Sequence, residues 1–87
     1  MPTTIQSLIT DLRDSKGWTQ EEMAVRLTEA GYPLTRMAVS HIEVGRRGFT
    51  ARLSVAYRAV FDLSGDDLAG FLALVDAQFP PEDVEAA

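Results

Sequence analysis

Eighty-seven residues, 46% of them hydrophobic, suffice for one small domain with its own core and leave no room for a second. With no cysteine and a single histidine, disulfides and thiol chemistry are excluded, and neither a metal nor a cofactor is expected. The net charge is −5, and neither a basic leader nor an apolar run near the ~18 residues of a membrane span is present, which predicts a cytoplasmic chain with no membrane partner.

The pattern predicts an all-α chain of five helices and no strand. Thr3 and Gln6 stand at capping-box spacing, and Ile5, Leu8, Ile9 and Leu12 follow at i, i+3, i+4, i+7, the stripe of an amphipathic helix ending near Ser15 or Lys16. Gly17 supplies a left-handed exit, and Trp18 has the bulk to seal a corner, which makes it an expected core residue. Thr19 and Glu22 form a second capping box, opening a helix with Met23, Ala24 and Leu27 inward that runs to about Ala30, before Gly31. Tyr32, Pro33 and Leu34 lead onward, Pro33 biasing Tyr32 towards extended geometry.

Thr35 caps a third helix, stopped by Gly45. At roughly 100° per residue, Ala38, Val39 and Ile42 fall on one side, and Arg36, Met37, Ser40, His41 and Val44 on the other. The first side can bury. The second is an odd mixture for a solvated face, because Met37 and Val44 gain nothing from water while Arg36, Ser40 and His41 can reach hydrogen-bonding groups. Gly45 to Gly48 form a turn, and a fourth helix runs from about Thr50 to Phe61 with Leu53, Ala56, Tyr57 and Val60 inward. After a turn at Asp62 to Gly65, Asp66 and Asp67 sit where acids favour a helix start. Leu68, Phe71, Leu72, Val75 and Phe79 define the last helix, which Pro80 and Pro81 stop. The domain is thus residues 1–81, and the segment 82–87 is expected to fray.

Charge is segregated along the chain. Residues 36–58 carry five arginines against Glu43 alone, a net +4, whereas everything from Ala59 onward holds seven acids and no base. Because charges are screened beyond about 10 Å at ordinary salt, a polyanion meets the local patch and not the total.

Two stretches carry a resemblance. GWTQEEMAVRL, residues 17–27, is similar to the Gly-aromatic-Thr-Gln opening of the Cro/cI-type (xenobiotic-response-element type) helix-turn-helix regulators, and TRMAVSHIEVGRR, residues 35–47, resembles their recognition segment. The likeness spans roughly Ile5 to Leu68 and leaves the last helix uncovered. It implies a five-helix lambda-repressor-like domain that places helix 35–44 in the major groove of double-stranded DNA. In such proteins the outward residues of that helix read bases, here Arg36, Met37, Ser40 and His41. Arg36 suits the two acceptors of guanine and Met37 a thymine methyl. Gln20, Thr35, Arg46, Arg47 and Arg52 take the phosphate-contacting places, with Arg58 nearby. Arg13 and Glu43 match a pair that ties helix one to the recognition helix. The chain departs from the family in about five extra residues between Leu27 and Thr35, and in Phe61-Asp62-Leu63, where a glycine is common; Asp tolerates the left-handed conformation.

The function so implied is a transcriptional regulator, a repressor acting as a homodimer on a palindrome, because a lone domain reads few bases. Leu68, Phe71, Leu72, Val75 and Phe79 are the expected dimer surface. The alternative is a protein-interaction module of the same fold, antitoxin-like or accessory, that engages a protein partner through its acidic C-terminal helix. An enzyme is not expected, since Ser40 and His41, adjacent on a helix, point about 100° apart, poor geometry for a nucleophile and its base.

Overall fold

The computed structural model describes residues 4–78, and these form five α-helices with no strand among them. They are α1 (Ile5–Ser15), α2 (Gln20–Glu29), α3 (Arg36–Glu43), α4 (Ala51–Phe61) and α5 (Gly65–Gln78). Thr3, Phe79, Pro80, Pro81 and the 82–87 segment lie outside the described residues.

Helices α1 to α4 open in the same way. Thr4, Thr19, Thr35 and Thr50 hold extended backbone geometry, and each hydroxyl accepts from the amide three residues on. Each cap satisfies one of the amides that a helix start leaves without a partner, an effect of about 1 kcal/mol. The Thr19–Glu22 capping box is complete in both directions. For α1 the cap is Thr4, one residue after the threonine expected from the spacing. The end of α4 needs a residue in the left-handed region, and Asp62 fills it at φ 52°, ψ 51°. That is the conformation expected of this aspartate in place of a glycine.

The inward stripes meet in a single core: Ile5 and Ile9 from α1, Met23 and Leu27 from α2, Val39 and Ile42 from α3, Leu53 and Tyr57 from α4, Phe71 and Val75 from α5. Burying a large apolar side chain contributes about 1.5 to 3 kcal/mol, so this cluster is the main driving force for the fold. A file of rings runs through it, with neighbouring centroids 5.6 to 6.3 Å apart, in the order Trp18, Phe61, Tyr57, Phe49, Phe71. Phe49, which lies in a connection and so in no helical period, is 2% exposed and links α4 to α5. Trp18 is only half-buried: it stacks on Phe61 on one side, and the Arg26 guanidinium lies 3.9 Å from its ring centroid.

Helix α5 has apolar or small residues around most of its circumference, and the core takes Phe71 and Val75. Those two side chains belong to the interior of the single chain and are not available to a second copy. Leu68 is half-buried and Leu72 is exposed, so an α5 surface for a partner draws on them.

Candidate nucleic-acid interface

Helix α3 is held from behind and open in front. Val39 and Ile42 are fully buried, while Arg36, Met37 and Val44 are exposed and Ser40 and His41 are half-buried at the edge of the same open face. Met37 is 59% and Val44 66% exposed, so apolar side chains stand in water on the helix face that also carries Arg36. Neither lowers its free energy by that exposure.

An ion pair ties α3 to α1. Arg13 Nε donates to Glu43 Oε2 at 2.7 Å and Nη2 donates to Glu43 Oε1 at 3.0 Å, a bidentate geometry, while Nη1 donates to the Trp18 carbonyl at 2.7 Å. The two side chains are 12% and 5% exposed. The hydrogen bond to Glu43 raises the Arg13 pKa above its ordinary value despite burial. Glu43 is therefore neutralised internally, and the five arginines of the 36–58 block face no acid from that block. Gln20, at the start of α2, joins the same network, its Nε2 donating to Glu43 Oε1 at 3.2 Å. One amide hydrogen and the carbonyl oxygen are left to meet an outside group.

The turn after α3 is fixed by its backbone. Gly45, at φ 84°, allows the amides of Arg46 and Arg47 both to reach the His41 carbonyl, at 2.8 and 3.1 Å. Such a turn satisfies the last carbonyls of the helix and leaves both arginine side chains exposed. Two shallow concavities meet at Thr28, Leu34 and Thr35. Arg36 lines one, beside Glu21, Val25 and Glu29, and Arg47 lines the other, beside Ala38. Thr35 thus lies between Arg36 and Arg47, although its hydroxyl already accepts from the Ala38 amide at 3.1 Å.

Two expected groups lie elsewhere. Arg52, in the first turn of α4, lines a separate concavity with Ala30, Gly31, Tyr32 and Val55, away from the one Arg47 enters. Arg58 is exposed on α4. Two contributors escape the sequence reading. Thr28 accepts from the Leu34 amide at 3.2 Å and donates to the Ala24 carbonyl at 2.8 Å, which pins the long α2–α3 connection to α2. Val25, 52% exposed beside Arg36, falls off the apolar stripe of its helix, the one signal by which it was detectable.

Among the described residues there is no group of three metal-ligating side chains, and no helix is long and apolar enough to cross a membrane. Set against known proteins, the chain matches no family model, no curated protein and no solved structure.

Proposed function

We propose that the chain is a sequence-specific DNA-binding transcriptional regulator of the lambda-repressor-like helix-turn-helix type, acting as a homodimeric repressor on a palindromic operator. The observation that carries this reading is the open face of α3, which mixes Arg36, Met37, Ser40, His41 and Val44 and is followed at once by two exposed arginines on a backbone-fixed turn. An eight-residue helix is about 12 Å long, and the major groove is about 12 Å wide. Buried in the groove, Met37 and Val44 gain the apolar contact that water denies them, and Arg36 meets guanine.

Arg46 and Arg47 hold phosphates on one side of the helix, and Gln20 reaches the backbone from the start of α2, where the helix dipole favours an anion. The buried Arg13–Glu43 pair fixes how far α3 projects. A symmetric dimer through Leu68 and Leu72 places two such helices one turn of DNA apart. The acidic α5, with Asp66, Asp67 and Asp76 and no base, favours the second reading, a module that binds a protein partner.

Binding to a mixed-sequence duplex, followed by fluorescence anisotropy over a salt series, tests the docking. Each phosphate neutralised contributes about −0.9 to the slope of log K against log salt. Arg46→Ala with Arg47→Ala should reduce the slope by about 2 for each bound protomer and weaken all sequences alike. An unchanged slope and affinity would refute this arrangement.

A further inference from the structure

Helix α5 has two flanks beside its buried edge. Leu68 and Leu72 occupy one. By helical period, Asp66, Gly70, Ala73 and Leu74 occupy the other, which faces α1 across a groove of about 340 Å³. Half-buried Leu8, Leu12 and Leu74 make its apolar floor, Gly70 and Ala73 keep its α5 wall low, and Asp66 and Asp67 stand at its rim. No basic residue lies on α5.

The outer face of α4 is the counterpart in sign and shape. Arg52, Val55 and Ala59 recur there at i, i+3 and i+7, flanked by Ala30 and Tyr32. Val55 is 61% exposed. Arg52 stands in a helix first turn that holds no acid, where the helix dipole disfavours a cation. All ion pairs among the described residues run from Arg13, so Arg52 has no carboxylate partner among them. Its placement thus has a local cost and no ion-pair gain among the described residues.

We infer that the α4 face of one copy docks into the α1–α5 groove of the next, with Val55 entering over Gly70 against Leu8, Leu12 and Leu74 and with Arg52 meeting Asp66 and Asp67. A twofold arrangement of groove on groove sets acid against acid, and the phosphate backbone of DNA, which could satisfy Arg52, offers nothing to Val55 and Ala59, so a second copy presenting α4 is the occupant that matches in both charge and apolar character. The contact is heterologous: each copy uses one surface and leaves the other open, so copies add head to tail. A surface of this extent belongs with small, transient interfaces, so association matters where copies are already crowded, as on neighbouring binding sites. The inference does not rest on the DNA reading, and its test contains no DNA.

Two variants separate the surfaces. Arg52→Glu spoils the α4 face. Gly70→Leu fills the groove: a Cβ at Gly70 meets no atom within 4 Å, and its backbone is not left-handed, so the fold accommodates the change. Wild-type protein at sub-millimolar concentration should show a mass that rises with concentration and falls with salt. Each variant alone should lose this concentration-dependent extension, and mixing the two should restore association in one-to-one proportion.

In the mixture, isotope-labelled Arg52→Glu protein should show NMR shifts at Leu8, Leu12, Ala73 and Leu74, and labelled Gly70→Leu protein should show them at Ala30, Val55 and Ala59. Absence of those shifts overturns the inference. So do equal groove shifts caused by a protein carrying both substitutions, or shifts within residues 79–87 in Gly70→Leu alone, which would make the chain's own C-terminal segment the occupant.

Discussion

Replacing Arg13 by Met tests how α3 is held. The guanidinium makes two bonds to Glu43 and one to the Trp18 carbonyl, and both charged side chains are at least 88% removed from solvent. Without Arg13, Glu43 keeps a single neutral bond from Gln20, and the Trp18 carbonyl loses its side-chain donor. Breaking one side of a buried pair costs about 3 to 5 kcal/mol. The whole stability of a domain this size is about 4 to 13 kcal/mol. At about 4 to 8 °C per kcal/mol, Tm should fall on the order of 20 °C. Removing both charges, with Arg13→Met and Glu43→Leu, also removes the desolvation penalty, so the double variant should lie within about 1.5 kcal/mol of wild type. Thermal and urea unfolding of the four proteins in the cycle gives the coupling directly. If Arg13→Met alone costs less than about 1 kcal/mol, the pair behaves as a solvated surface bridge, and the proposed anchoring of α3 is wrong.

Arg36→Ala should relax preference at one base pair and lose about 1 to 3 kcal/mol of discrimination in competition binding, whereas an equal loss on every sequence would make Arg36 a phosphate contact. Tyr57→Phe should leave stability unchanged or raise it by up to about 1 kcal/mol, because the buried hydroxyl has no hydrogen-bond partner among the described residues; a loss above that would reveal one. Burial also raises the Tyr57 pKa above its ordinary 10, so its neutral form favours the fold, and wild-type stability should fall more steeply above pH 10 than that of the phenylalanine variant. Asp62→Gly, at a left-handed position, should gain up to about 1 kcal/mol in urea unfolding, and a loss would mean that the carboxylate is tied down. The Thr19 bonds lower the Glu22 pKa from its ordinary 4.5, so its contribution is present above that pH and is lost as pH falls through the depressed value. The Tm difference between wild type and Glu22→Gln should therefore shrink on acidification, and a constant difference would contradict the capping account.

The segment Thr35 to Arg47 was legible because cap, period and glycine stop agree there, and the Arg13–Glu43 pair followed from the resemblance. The α5 residues were not, since LAGFLALV is apolar or small on every side and its period does not choose which face goes inward. Phe49 belongs to no period, and Thr28 acts through a backbone amide six residues away. Arg52 counted towards the charge of its block, but only the packing of α4 against the Gly31 turn separates it from Arg46 and Arg47. Gln20 showed its helix position in the sequence but not its bond to Glu43, a residue 23 positions distant. Local signals thus located the helices and the open face of α3, while long-range packing decided which polar groups stay free.

Whether α3 reads DNA sequence is decided by selecting bound sequences from a random duplex pool with the purified chain at two salt concentrations. A homodimer reading bases through α3 should select a palindromic motif with half-sites about one helical turn apart, and recovery should fall steeply as salt rises. No enrichment at low salt would contradict it and turn attention to a protein bound at the acidic face of α5.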